Sequence, residues 1–180
     1  EAIEAGKENY LIRDINKDGV KDVLVIAEKQ PTYVNYETDQ PCQIGDEDYK
    51  CRVVYDTRSL NLYLGKKTGG FELAFANDKF VLTGDEGGVF GDPLYGLGVR
   101  ANGSIILSVY GGSAWRWSYT DTFQFRNGDF FVIGQDSSYG WNGDGRLETR
   151  SVNLITGQVV ETSQAYDGAP VKKKRSRIAV

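Results

Sequence analysis

Asn127-Gly128 separates Thr122-Phe123-Gln124-Phe125 from Phe130-Phe131-Val132-Ile133, and two such runs joined by Asn-Gly are the strongest short-range signal for a β-hairpin. Both central residues of the tight turn take positive φ, which glycine and asparagine tolerate. The same device stands at Asn102-Gly103, between Leu97-x-Val99-x-Ala101 and Ile105-Ile106-Leu107-x-Val109. Thr68-Gly69-Gly70, Thr156-Gly157 and Asp167-Gly168 punctuate further runs at Leu60 to Leu64, Phe71 to Phe75, Ser151 to Ile155, Val159 to Thr162 and Val171 to Ile178. No helix-length periodic stretch interrupts them. Roughly a dozen strands at spacings of about 8 to 12 residues imply an all-β antiparallel meander, arranged as a sandwich, an open barrel or a partial propeller. With 180 residues the chain is expected to form one domain, residues 1–180, large enough to bury a real core.

The stretch most informative about chemistry is Arg13 to Ala27, RDINKDGVKDVLVIA. Asp14, Asn16, Asp18 and Asp22 stand at positions 1, 3, 5 and 9 of a calcium loop, with Gly19 at position 6, where the backbone turns sharply. The Val20 carbonyl at position 7 adds a donor, and an all-oxygen set suits a hard cation, Ca2+, over a soft transition metal. A helix–loop–helix site would want glutamate at position 12, where this chain has Val25. The flanks Tyr10-Leu11-Ile12 and Val23 to Ala27 are short and β-branched, so residues 10–27 are expected to be a hairpin. The same residues also favour metal-free turns.

The pattern Asp14-x-Asn16-x-Asp18-Gly19-x-x-Asp22 followed by apolar residues resembles the FG-GAP calcium hairpin of integrin-type repeats. The resemblance implies calcium held by Asp14, Asn16, Asp18 and Asp22 at a β-hairpin. It covers this one loop, and Asn142-Gly143-Asp144-Gly145 is only a partial echo. A complete propeller, at about 40 to 50 residues per blade, does not fit the length.

Cys42 and Cys51 are the only cysteines. Their spacing fits a disulfide tethering the polar excursion of residues 28–51, worth roughly 2 to 3 kcal/mol in the chain-entropy model, and two buried thiols are the alternative. Calcium with a disulfide points to the periplasm or the cell exterior. The chain begins at Glu1 and lacks methionine, the expectation for a mature chain already freed of a signal peptide or lipid anchor, and no apolar run is long enough for a membrane helix. A net charge of −4 argues against a general nucleic-acid binder. The basic run Lys172-Lys173-Lys174-Arg175-Ser176-Arg177 reads as an edge strand guarded by lysines, or as a charged tail.

With no histidine, histidine-dependent hydrolysis and histidine-ligated zinc are excluded. Asp85, Glu86 and Asp92, spaced by glycines from Gly84 to Gly96, form either a turn, a partner-binding edge or a carboxylate pair for glycoside hydrolysis. Trp115, Trp117 and Tyr119 fall on one face of an extended strand and Arg116 on the other, as core or as a binding platform. The preferred expectation is a non-catalytic calcium-binding protein that docks on another protein, as an inhibitor or immunity protein against an exported toxin or cell-wall hydrolase. Its acidic loops, Asp46 to Asp48 or Asp85 with Glu86, would complement a basic cleft. A carbohydrate-binding module and a carboxylate-based hydrolase are the alternatives.

Overall fold

The computed structural model describes residues 9–42, 50–100 and 102–180. Its strands are β1 (Tyr10–Arg13), β2 (Asp22–Glu28), β3 (Thr32–Asn35), β4 (Cys51–Val54), β5 (Arg58–Gly65), β6 (Phe71–Val81), β7 (Leu94–Val99), β8 (Ile105–Gly112), β9 (Trp115–Arg126), β10 (Asp129–Trp141), β11 (Arg146–Asn153), β12 (Gln158–Gln164) and β13 (Lys172–Arg177). All strand pairs are antiparallel, and no α-helix occurs among the described residues. A short sheet runs β1-β2-β5-β6, and a long sheet runs β13-β12-β11-β10-β9-β8-β7. The expected all-β meander is therefore a sandwich-like pair of open sheets, not a closed barrel.

Alternation explains the packing. Leu24 and Ile26 on β2, Leu60 and Leu62 on β5, Ile105 and Leu107 on β8, and Phe123 on β9 point inward at every second position and are buried. Each such side chain contributes about 1.5 to 3 kcal/mol by leaving water. Phe130 closes one end, edge-on to Phe75 at 4.8 Å and to Phe125 at 5.2 Å.

The core ends before the long sheet does. Within β11 to β13 only Val152 and Val159 are buried, and every residue of β13 is exposed. These outer strands make no extensive contact with the short sheet. The basic run is thus the terminal edge strand of the long sheet, which places its charges where they deter pairing with further copies.

The Asn127-Gly128 hairpin has the expected form: Arg126 faces Asp129, and the two turn residues have φ of 55° and 83°. At Asn102-Gly103 the closing contact is Arg100 N–H to Ser104 carbonyl at 2.8 Å, a loop one residue longer than two-residue pairing requires. Ala101, residues 1–8 and the acids Asp46, Glu47 and Asp48 lie outside the described residues. Cys42 and Cys51 form the expected disulfide. The excursion between them and β2 is not all loop, because β3 pairs with β4 in a separate two-stranded ribbon.

Candidate functional site

The loop from Asp14 to Lys21 is closed largely by its own side chains. Asp14 accepts hydrogen bonds from the backbone N–H of Asp18 at 3.1 Å and of Gly19 at 3.0 Å, one on each carboxylate oxygen. Asn16 accepts from Asp18 N–H at 3.0 Å, and Asp18 accepts from Val20 N–H at 2.8 Å. The Val20 N–H and then the Asn16 amide hold the Asp18 carboxyl below the usual aspartate range. Lys17 and Gly19, at φ 65° and 87°, let the backbone wrap.

Asp22 stands apart from the others. It is 0% exposed, and its carboxylate accepts from Ile15 N–H at 2.7 Å, Asn16 N–H at 3.2 Å and Gly65 N–H at 3.0 Å. It fastens the loop to the end of β5. Among the described residues no three acidic, thiol or imidazole groups come close enough together to share one ion. The donors that still suit a hard cation are Asp14, Asn16, Asp18 and the Val20 carbonyl, since an oxygen accepting one hydrogen bond keeps a second lone pair. Asp22 serves the loop as a strut, its two oxygens meeting three backbone N–H groups away from solvent.

The glycine-rich segment that carries Asp85, Glu86 and Asp92 is the crossover from β6 on the short sheet to β7 on the long one. Asp92 binds the guanidinium of Arg58 through both oxygens, each at 2.7 Å. Arg58 also reaches Glu28 on β2 at 2.9 Å and the Leu82 carbonyl at 3.2 Å, while its own side chain is 4% exposed. Asp92, mainly, raises the Arg58 pKa above its ordinary value. Asp85 and Glu86 both turn back on Thr83, accepting from its hydroxyl at 2.6 and 3.0 Å. The three acids are thus drawn into the fold of the crossover.

The aromatic row is on the core side of the long sheet yet not in the core. Trp115, Trp117 and Tyr119 share the face of buried Phe123, but Trp115 is 37% and Tyr119 42% exposed. Tyr139, 47% exposed, stacks on Trp115 at 4.9 Å with the planes 7° apart, and Trp141 lies 5.0 Å from Trp115. Trp117 packs over Gly111, where any Cβ would collide with the indole. Arg116 points to the opposite face, its guanidinium 4.2 Å from the centre of the Phe90 ring. With the Asn142 amide turned so that its oxygen faces Arg116, that oxygen accepts from Nη2 at 2.9 Å and Nε at 3.0 Å. Arg116 is therefore engaged by its own chain.

Beyond the row, a cleft of about 450 Å³ crosses the outer strands. Strand register builds two lines of side chains on the face of Trp117 and Tyr119. One runs Tyr119, Ser137, Arg150, Glu161, Lys174, and the other Trp117, Tyr139, Glu148, Ser163, Lys172. Glu161 lies 3.7 Å from Arg150 and 3.6 Å from Lys174. The charged half of these lines is not foreseen by motif reasoning. Its signal in the sequence is polar residues at alternate positions of β11 to β13 with no apolar face to oppose them. No helix among the described residues is long and apolar enough to cross a membrane. Compared with known proteins, the chain matches no family model, no curated protein and no solved structure.

Proposed function

We propose that this chain is a non-catalytic binding protein whose ligand surface is the open face of the long sheet, and that the ligand is a carbohydrate. The observation that carries the reading is the half-exposed, stacked pair of Trp115 and Tyr139, with Trp141 tilted against Trp115, beside an uncovered cleft. Flat rings supply apolar area for the C–H faces of a sugar at low entropic cost, and the neighbouring serines and charged groups supply hydrogen bonds for its hydroxyls. The absence of histidine and the engagement of Asp92 by Arg58 favour binding without chemistry. Trp115→Ala is expected to weaken binding on a glycan array about tenfold, close to 1.4 kcal/mol. A glycan bound equally by wild type and Trp115→Ala would count against this face.

A protein partner, as for an inhibitor or immunity protein, is the second reading, favoured by the exposed edge of β13 and by the tyrosine and tryptophan surface. Capture of an exported toxin or hydrolase from the source organism, sensitive to Tyr139→Ala, would support it.

Calcium enters the same proposal through Asp14, Asn16, Asp18 and the Val20 carbonyl, with waters completing the shell. Two carboxylates make a weak site, about 10⁻⁴ to 10⁻³ M, suited to the millimolar calcium of an extracellular or periplasmic setting, and the disulfide favours such a compartment. At tenfold excess over its Kd, calcium is expected to stabilise the fold by about 1.4 kcal/mol. Differential scanning calorimetry in calcium and in chelator tests this, and Asp14→Asn with Asp18→Asn is expected to erase the difference.

A further inference from the structure

We infer that the carbohydrate taken by the cleft is anionic, a polymer bearing carboxylates or sulfates, and that it lies across the strands from Trp117 and Tyr119 toward Lys172 and Lys174. The inference rests on the carbohydrate reading and adds the ligand's charge and direction.

The two lines of side chains are graded. Both begin on an aromatic ring of β9, one continuing onto Tyr139 of β10 and the other onto Ser137, pass over Ser163, Glu148 and the Arg150–Glu161 pair, and end on lysines of β13. Four strand intervals of about 4.8 Å make each line roughly 19 Å long, enough for several sugar units. Glu161 is shared between Arg150 and Lys174, and Glu148 lies nearer the aromatic end, so the two lysines of β13 face no carboxylate of their own beyond the shared one. Lys172 and Lys174 stand on the cleft face of β13, whereas Lys173, Arg175 and Arg177 alternate to its other face. On the cleft face Arg150, Lys172 and Lys174 stand against Glu148 and Glu161, an excess of one positive charge gathered at the β13 end of a chain whose net charge is −4, so it is a local feature and not a general basicity. Within a Debye length of about 8 Å such an excess draws acidic groups and leaves neutral sugars unaffected.

The lining also discriminates among anionic macromolecules. It contains tyrosines, serines, threonines and charged residues but no aliphatic side chain. An acidic protein would bring apolar anchors that need a desolvated pocket, and none is offered along these lines. A second copy would set β13 lysines against lysines. A hydroxyl-rich polyanion matches both halves, with ring faces at the aromatic end and acid groups at the cationic end.

The test is titration of the full chain, by calorimetry and affinity electrophoresis, with oligogalacturonate, alginate and heparan sulfate oligomers, with methyl-esterified oligogalacturonate, and with poly-L-glutamate. At least one anionic glycan is expected to bind, at least tenfold more tightly than the methyl ester for the uronate, with affinity falling as salt rises. Lys172→Ala with Lys174→Ala, and separately Tyr139→Ala, are each expected to weaken it tenfold or more while circular dichroism stays unchanged. Equal binding of the ester and the acid, or binding unaffected by the lysine pair, would overturn the charge assignment and leave the carbohydrate reading standing. Poly-L-glutamate binding as tightly as the best glycan would overturn it in favour of an acidic protein. Failure of every charged and neutral glycan would remove the carbohydrate reading itself.

Discussion

Asp22→Ala is expected to cost roughly 3 to 6 kcal/mol of folding stability, because it strands three backbone N–H groups, that of Ile15 buried and those of Asn16 and Gly65 partly buried, and each unmet donor costs about 1 to 3 kcal/mol, least where water reaches it. That is a large share of a domain's usual margin, so the variant will unfold at far lower denaturant than wild type. Urea titration measures it. Asp14→Ala and Asp18→Ala remove exposed acceptors from the same loop and are expected to cost about 1 kcal/mol or less. The comparison separates strut from ligand. If Asp22 acts by holding backbone, its loss is equally severe in calcium and in chelator, whereas a metal ligand's loss would show mainly in calcium.

Arg58→Met is expected to cost about 2 to 4 kcal/mol, since it removes the shared cation of Glu28, mostly covered, and Asp92, half exposed to water. Arg58→Lys will recover only part of this, because a single ammonium cannot meet both oxygens of Asp92 in the paired geometry that the guanidinium supplies. Adding Glu28→Gln and Asp92→Asn to Arg58→Met is expected to restore much of the loss, as neutral groups no longer repel. Thermal unfolding of the single and combined variants checks the ordering. The pH dependence follows from the sign of the shift. Arg58 is raised in the folded state, so its contribution is fully present below the unfolded arginine pKa and is lost only in strong alkali. No weakening of this junction on the alkaline side is therefore expected between pH 7 and 10.

Features written in local sequence were legible from it. The hairpin at Asn127-Gly128, the Cys42–Cys51 bridge and the edge position of the lysine run each depend on a few adjacent residues, and each stands as read. Boundaries were less so: Trp115 to Tyr119 and Thr122 to Phe125 read as separate runs but form one strand, β9, since nothing between them turns the chain. Thr32–Asn35 was hidden within a polar excursion because β3 pairs with β4 in a ribbon outside both main sheets and shows no buried face.

The role of Asp22 and Arg58 was present in the pattern but masked by motif. Asp22 is in phase with inward Leu24 and Ile26, and Arg58 with inward Leu60 and Leu62. A charge on the apolar parity of a strand announces a buried partner, and here the partners lie 43 residues away at Gly65 and 34 residues away at Asp92. Such distances are beyond local reading. Whether the aromatic row would be covered depended on where the short sheet stops, a tertiary matter that alternation along β9 alone does not decide.

Strands wetted on both sides lack the usual safeguard against slippage, in which sliding by one residue would drag an oily face into water. Among β8 to β13 that safeguard fades outward, and small interlocking contacts take its place. Ser108 meets Thr120 at 3.0 Å, Ser118 meets Ser138 at 2.7 Å and Thr149 meets Thr162 at 2.7 Å, while Arg150 and Lys174 flank Glu161 on the other side. These act like the teeth of a zip: a one-notch misalignment would break several of them together, and the alignment of the aromatic rings with distant ammonium groups would go with them.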